Sequence, residues 1–233
     1  MLNDLKEKVC KANIELYESG VVIYTWGNVS GIDRKQNLVA IKPSGVPYED
    51  LTPEKMVVVD LFSGEVVDGN LLPSSDTKTH LELYKAFSDI GGIAHTHSIN
   101  AVAYAQAGKD IPALGTTHAD YFYGSIPCTR ELTEDEVNND YELNTGKVII
   151  ETFQRAKIKP ATMPGIIVRN HGPFAFGETS EEAVYHAVVL ETLADMCLKT
   201  QLLNSQSALP QYILEKHFFR KHGPDAYYGQ IEK

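Results

Sequence analysis

The sequence has few cysteines, with only Cys10, Cys128 and Cys197 among its 233 residues. Their number is odd and their spacing is wide, so neither a disulfide framework nor a paired-cysteine metal site fits them. We therefore expect all three to be buried or half-buried thiols in a protein of a reducing compartment.

Long hydrophobic runs and an excess of basic residues are missing as well. No stretch approaches the ~20 apolar residues that a membrane helix needs, and the first twenty residues lack the apolar core of a signal peptide. We therefore expect a cytoplasmic protein without membrane contact. Asp and Glu outnumber Lys and Arg by 31 to 21, giving a formal charge of −10. This balance argues against nucleic-acid binding, and an anionic substrate would have to be held by local groups.

What is present is an alternation of short apolar runs and glycine-containing turns. The runs at 21–24, 38–41 and 56–62 are typical of strands in a largely antiparallel sheet. Hydrophobic residues make up 43% and charged residues 22%, which is ordinary for a globular protein. Because no repeat or linker is visible, we predict one domain over residues 1–233, with helices packed on a mixed sheet.

Helix signals follow the strand signals along the chain. Apolar residues spaced by three and four over 2–16 predict an amphipathic helix that ends before Gly20. Ser74 and Ser75 are predicted N-caps of a helix reaching Phe87. Capping-box patterns at 133–136 and 179–182 precede further helices, and the last helix is expected over 212–222.

Two histidines, His95 and His97, stand two residues apart in a predicted strand at 93–97. Side chains two apart in a strand share a face, so both imidazoles could reach one metal ion. His171 lies in a turn beside glycine, and Asp76 begins a capped helix. Three nitrogens and one carboxylate oxygen suit zinc and leave room for substrate. Taken alone, however, a His-x-His pair is more often exposed or hydrogen-bonded than metal-bound.

Three polar turns could hold an anion without net positive charge. They contain Gly27 with Asn28, Ser44 with Gly45, and Ser74 with Ser75, and Lys42 is the neighbouring point charge. Backbone N–H groups and hydroxyls in such turns bind phosphate, and a helix N-terminus adds to this. Each turn by itself is also explained as an ordinary turn.

The same segments resemble the class II aldolase/epimerase family, and within it the L-ribulose-5-phosphate 4-epimerases. They are TWGNVS at 25–30, IKPSG at 41–45, PSSDT at 73–77, HTH at 95–97, GTTHADYFYG at 115–124, NHGPF at 170–174, KHG at 221–223 and YYGQ at 227–230. In this order they cover the chain from its first residues to Gln230.

The resemblance implies a three-layer α/β/α fold with a central, mostly antiparallel mixed sheet. It also implies a homotetramer with active sites between subunits and a small sugar-phosphate substrate. One zinc ion per subunit would be held by Asp76, His95, His97 and His171. The phosphate would be held by Gly27, Asn28, Lys42, Ser44, Gly45, Ser74 and Ser75. Asp120 and Tyr228 would be the acid/base pair, with Tyr228 from the adjacent subunit, and His217 is a possible accessory residue.

Several activities remain open at this point. The epimerase would interconvert L-ribulose 5-phosphate and D-xylulose 5-phosphate, in arabinose or in ascorbate breakdown. Two residues favour the epimerase. The resembling aldolases carry a glutamate in place of Asp76, and the stretch that ends in Asp120 resembles the epimerases. An aldolase that releases an aldehyde, and a non-catalytic protein that binds zinc or a sugar phosphate, are the alternatives.

Overall fold

The computed structural model describes residues 2–224 and 226–227. Its strands are β1 (Asn28–Asp33), β2 (Leu38–Ile41), β3 (Val57–Asp60), β4 (Val66–Asp68), β5 (Gly92–His95), β6 (Gly165–Ile167) and β7 (Pro173–Gly177). Its α-helices are α1 (Leu2–Glu18), α2 (Thr77–Ala86), α3 (Ile99–Ala107), α4 (Thr116–Ala119), α5 (Glu134–Ala156), α6 (Ser180–Leu203) and α7 (Gln211–His222).

The seven strands form one sheet in the order β4-β3-β2-β1-β5-β7-β6. Every pairing between these strands is antiparallel. The prediction of an antiparallel sheet is confirmed, but the expected mixed character is reduced within the described residues to one isolated parallel bridge between Cys128 and Ile167. The short turns between β1 and β2 and between β3 and β4 contribute to this, because a short connection can join only antiparallel neighbours.

Alternating side chains of the strands serve two separate cores, one on each face of the sheet. Val57 and Val59 belong to the core shared with α2 and α5, whereas Val58 faces the core shared with α1 and the start of α6. The period of two in side-chain direction produces this division. Helices therefore cover both faces, which confirms the expected three-layer α/β/α arrangement.

Some local predictions at the strands are wrong. The run at 21–24 forms no strand, because the backbone turns there and Tyr24 adopts a left-handed φ of 54°. The strand predicted at 93–97 ends at His95, so His97 lies just beyond it. The run at 56–62 is a strand only over Val57–Asp60, since the chain then turns about the Asp60 carboxylate, which accepts from two backbone amides.

The predicted helix starts are confirmed in part. Thr133 and Glu136 form a full capping box at the start of α5. Thr179 caps α6 through the amide of Glu182, but the Glu182 carboxylate accepts from Glu178 instead of closing the box. Asp76, and not the two serines before it, holds the N-cap position of α2, and its side chain makes no capping bond there. That carboxylate is therefore left for another role.

Two compositional expectations concern burial and membranes. Cys10 and Cys197 are buried and Cys128 is half-buried, and all three are free thiols. Across residues 2–224 and 226–227, no helix combines the length and apolarity needed to cross a lipid bilayer.

Candidate functional site

Three histidines meet at the end of strand β5, which lies between β1 and β7 in the sheet. One ring nitrogen from each of His95, His97 and His171 lies within 4.8 Å of the other two. The Nε2 atoms of His95 and His97 are 3.1 Å apart. Two nitrogens bound to one tetrahedral zinc at about 2.0–2.1 Å would lie roughly 3.3 Å apart, so this pair has the required spacing.

His95 is fixed by the sheet beneath it. It pairs with Asn28 on β1 and with Phe174 on β7, and its ring stacks on the Phe174 ring with centroids 4.2 Å apart. Its Nδ1 lies 2.9 Å from the Pro173 carbonyl oxygen, which accepts the ring proton. The Nε2 atom is directed at the other histidines and lies 3.1 Å from Nε2 of His97. A carbonyl that fixes the tautomer of a histidine is a common support for a metal ligand.

His171 reaches the cluster through a tight turn between β6 and β7. Asn170 has a left-handed φ of 62°. A side chain at Gly172 would place its Cβ 2.6 Å from the Thr96 carbonyl oxygen, so only glycine allows this close approach. The Tyr141 hydroxyl lies 3.1 Å from Nδ1 of His171 and orients the ring.

The charge states of the residues in and beside the cluster favour the binding of a cation. Burial lowers the pKa of His171 to about 3, and burial followed by the nearby His95 lowers that of His97. Both imidazoles are therefore neutral at neutral pH, which is the form that binds metals. Burial opposes ionisation of Asp76, but interactions with His95 and other histidines and a hydrogen bond from Asn28 outweigh it, so its pKa lies below the ordinary value.

Asp76 lies at the rim of the cleft that contains His97 and His171. The Asn28 amide donates to Asp76 Oδ2 at 2.7 Å and to the Ser74 hydroxyl at 3.1 Å. One amide thus ties the carboxylate to the neighbouring serine turn. The three imidazoles suit zinc, and the Asp76 carboxylate lines the same cleft but is not part of the group whose donor atoms lie within 4.8 Å of one another.

The three predicted anion-holding turns line the same cleft of about 500 Å³. The segments around Ser44 and Ser74 are held together by backbone bonds, from Ser44 to Leu72 and from Ser74 to Lys42. Gly27 has a left-handed φ of 80°, and a Cβ there would lie 2.6 Å from the His95 carbonyl oxygen. The predicted residues lining the cleft are Gly27, Asn28, Lys42, Ser44, Gly45, Ser74, Ser75, Asp76, His97 and His171.

Lys42 is the cation of this cleft, and it is 2% exposed. Its Nζ atom donates to the Pro43 carbonyl at 3.5 Å and lies 4.7 Å from the centre of the Tyr48 ring. None of the ion pairs found among the described residues includes it. Burial lowers the pKa of Lys42 to about 8. Such a lysine suits an anionic ligand that arrives from solution.

Sequence reasoning missed Tyr141 and Glu142, which line the cleft beside His171. They lie directly after Asp140, whose non-helical backbone (φ −161°, ψ 83°) kinks α5 and brings them to the site. Trp26, half exposed with its ring centroid 6.1 Å from that of His97, was also not assigned a role. The TWGNVS motif contains Trp26, and the capping box at 133–136 begins the helix that contains Tyr141 and Glu142. No sequence signal predicts the kink in that helix.

Asp120 is not among the residues that line this cleft in the single chain. It follows α4 and its carboxylate is held by α7, with Arg220 at 2.9 Å and the His217 ring at 3.0 Å. Burial opposes its ionisation, but Arg220, His217 and Lys221 prevail and keep the pKa of Asp120 below the ordinary value. Tyr228 lies outside the described residues. The structure therefore joins His217 to Asp120 but does not join either of them to the histidine cluster.

His118, just before Asp120, has a structural role that yields a pH prediction. Its Nε2 donates to the Gly124 carbonyl at 2.7 Å, and burial lowers its pKa from 6.5 to about 4. The unfolded chain therefore takes up the proton first as the pH falls. The stability that His118 contributes is complete above about pH 6.5 and is lost toward pH 4, by at most about 3 kcal/mol.

We therefore expect His118→Gln, which keeps the donor to Gly124, to flatten the dependence of unfolding free energy on pH between about 6.5 and 4. Urea unfolding at a series of pH values measures this. Equal slopes for the variant and the parent protein would contradict the assignment.

Comparison with known proteins connects this geometry to a family. The family model described as "Class II Aldolase and Adducin N-terminal domain" matches residues 7–198. An L-fuculose 1-phosphate aldolase structure is similar at 26% identity and a TM-score of 0.77, over 92% of this chain and 94% of that chain.

Two further structures are similar in fold alone. The L-fuculose 1-phosphate aldolase from Glaciozyma antarctica has 20% identity and a TM-score of 0.75, over 96% of this chain and 84% of that chain. The L-fuculose-1-phosphate aldolase from Thermus thermophilus has 23% identity and a TM-score of 0.65, over 88% of this chain and 98% of that chain. The family match spans most of the sequence and includes the histidine cluster, and the chain belongs to the class II aldolase and adducin N-terminal domain family.

Proposed function

We propose that this chain is a zinc-dependent epimerase that interconverts L-ribulose 5-phosphate and D-xylulose 5-phosphate. The observation that carries the proposal is Asp76, a short carboxylate that accepts a hydrogen bond from Asn28 in the cleft that His97 and His171 also line. The resembling aldolases have a longer glutamate at this place, where it serves as their acid/base group. An aspartate held by an amide suits a metal ligand and leaves the proton transfers to other residues.

Lys42 and the polar turns of the cleft support a phosphorylated substrate. Lys42 supplies a buried positive charge, and the turns with Ser44 and Ser75 supply exposed hydroxyls and amides. A phosphate placed there would give Lys42 an anionic partner. The carbon chain of the sugar phosphate would then extend toward the three histidines.

Inversion at C4 requires a bond to carbon to break, because C4 carries no acidic proton. Breaking the C3–C4 bond gives a three-carbon enediolate and glycolaldehyde phosphate. If the aldehyde rotates before the bond re-forms, the configuration is inverted. Zinc held by His95, His97, His171 and Asp76 would supply Lewis acidity that stabilises the negative charge.

Two proton transfers accompany this sequence, one at the oxygen on each face of C4. We assign them to Asp120 and Tyr228, with Tyr228 contributed by the adjacent subunit. The ion pairs of Asp120 keep it ionised at neutral pH, which suits the accepting role. His217 contacts the Asp120 carboxylate and would orient it. This arrangement requires an oligomer, and we expect light scattering to give about four times the chain mass of 25.8 kDa.

A coupled assay on metal-analysed protein tests the proposal. L-ribulose 5-phosphate is supplied, and D-xylulose 5-phosphate and free aldehyde are followed together. We expect xylulose phosphate without aldehyde, with activity lost on chelation and restored by zinc. No turnover with zinc bound would refute the proposed substrate.

The second candidate is an aldolase, favoured by the similarity to an L-fuculose 1-phosphate aldolase. Here the aldehyde would leave the site instead of rotating within it. Trapping the free aldehyde with an alcohol dehydrogenase in the same assay distinguishes the two reactions. An epimerase of ascorbate breakdown would give the same result as one of arabinose breakdown, and neighbouring genes separate those two.

Lys42 gives a prediction for binding that is separate from chemistry. Lys42→Met should raise the Michaelis constant for the phosphorylated substrate by roughly 10- to 100-fold, the value of a charge-assisted hydrogen bond. Zinc content should not change. Lys6→Met is the matched control, because Lys6 is also buried but is paired with Asp68 at 2.6 Å outside the cleft. An equal effect of both substitutions would contradict a phosphate role for Lys42.

A further inference from the structure

A fourth histidine, which the proposed reaction does not use, lies near the histidine cluster, with its ring centroid 6.0 Å from that of Phe174, the ring on which His95 stacks. His80 on α2 is 0% exposed. Its Nδ1 is 2.7 Å from the Ser30 hydroxyl, but its Nε2 atom has no hydrogen-bond partner. Buried polar atoms are rarely left unpaired, so this nitrogen needs an explanation.

The direction of the hydrogen bonds around His80 follows from the protons available. Ser30 contacts two groups, His80 Nδ1 and the buried Tyr84 hydroxyl at 2.9 Å. If Tyr84 donates to Ser30 and Ser30 donates to His80, both hydroxyl protons are used. If Nδ1 instead donated to Ser30, either the Tyr84 proton or the Ser30 proton would have no acceptor among these groups. Nδ1 is therefore the acceptor, and in the neutral ring the proton is on Nε2.

The unpaired Nε2–H is close in the fold to an anion. Asp76 lies one helical turn before His80, and its carbonyl accepts the His80 amide at 3.1 Å. Burial lowers the pKa of His80 to about 3, so the ring is neutral at neutral pH. The negative charge of Asp76 partly opposes this lowering of the pKa.

Two residues on one face of β1 contact His80 and Asp76. Ser30 holds His80, and Asn28, two residues earlier on the same face of the strand, holds Asp76 at 2.7 Å. The pair on the strand thus faces a pair one turn apart on the helix. Asp76 receives one donor from Asn28 and has oxygen lone pairs left for a second.

We propose that His80 is a positioning residue whose Nε2–H donates to the Asp76 carboxylate and orients it toward the histidine cluster. This inference rests on the proposed metal site. The hydrogen bond forms when the Asp76 side chain turns toward His80, which leaves the remaining lone pairs of the carboxylate for a cation. Outer-shell donors of this kind commonly change metal affinity by about 10- to 100-fold.

Two polar substitutions of similar size test the role. His80→Asn keeps a group beside Ser30 but does not reach Asp76, whereas His80→Gln places an amide donor near the position of Nε2. In chelator competition, we expect His80→Asn to weaken zinc binding by roughly 10- to 100-fold. We expect His80→Gln to restore most of the affinity. Equal affinities of both variants would overturn the proposal.

A double-mutant cycle separates positioning from packing. In the background of Asp76→Ala, the further change His80→Asn should no longer weaken zinc binding, because the carboxylate that it positions is absent. A persistent effect would show that His80 acts through the fold instead. If the parent protein itself does not bind zinc, the metal site fails; if it binds and His80→Asn binds equally, only the role of His80 fails.

A measurement on the unaltered protein covers the case in which a variant does not fold. Selective ¹⁵N-histidine labelling and long-range proton–nitrogen spectra report which ring nitrogen carries the proton, and the resonance that His80→Gln removes identifies His80. If that variant cannot be produced, the proton position is read from neutron diffraction. We expect the proton on Nε2 in the metal-free protein. A proton on Nδ1 would overturn the proposal.

Discussion

His171→Gln is expected to weaken zinc binding by more than about a hundredfold and to abolish the turnover that depends on zinc. Loss of a direct ligand should exceed the 10- to 100-fold effect typical of outer-shell partners. His171 lies in a half-buried turn, so the cores on both faces of the sheet are left intact. Zinc content measured by mass spectrometry, together with the coupled assay, provides both readouts.

The matched control is His186→Asn. His186 is also a half-buried histidine, but its Nδ1 donates to the Phe176 carbonyl at 2.6 Å outside the cleft, and an asparagine amide can keep that bond. The control should bind zinc as the parent protein does. Zinc retained by His171→Gln, or lost equally in the control, would contradict the assignment of the cluster.

Asp120→Asn should lower kcat by roughly 10²- to 10⁴-fold, the usual contribution of one acid/base group. Zinc content should be unchanged, because Asp120 does not line the histidine cleft in the single chain. Asparagine keeps an acceptor for Arg220 and His217 but cannot take up a proton near neutral pH. Tyr228→Phe is expected to act in the same way.

Asp60→Asn is the control for this substitution. The Asp60 carboxylate likewise accepts hydrogen bonds, in its case from the backbone amides of Phe62 and Ser63 in the turn before β4. Its change should leave kcat near the value of the parent protein. Near-normal turnover in Asp120→Asn and Tyr228→Phe, or loss of zinc from either variant, would contradict their assignment as the acid/base pair.

The fold could be predicted from the sequence as far as periodicity and turn residues determine it. The spacing of apolar residues in α1 and the capping box at Thr133 are local signals, and the structure contains both features. The run at 21–24 failed because four apolar residues do not distinguish a strand from a turn without partners. The end of β5 at His95 depends on contacts with β1 and β7, which lie far away in the sequence.

The site was predictable through motifs, whereas its supports depend on tertiary contacts. The meeting of His95, His97 and His171 was expected from the resemblance, and the geometry brings them together. No sequence pattern predicts the kink at Asp140, whose carboxylate forms an ion pair with Lys78 at 2.8 Å. The link between Asp120 and Arg220 joins elements a hundred residues apart and could not be read from spacing.

The position of β5 in the sheet also has a consequence for synthesis on the ribosome. Its neighbours are β1, made much earlier, and β7, made much later, and His171 lies just before β7. A nascent chain that ends before residue 173 lacks β7 and can pair β5 only with β1. The order of translation therefore delays the meeting of the three histidines on a completed sheet until about three quarters of the chain has been made.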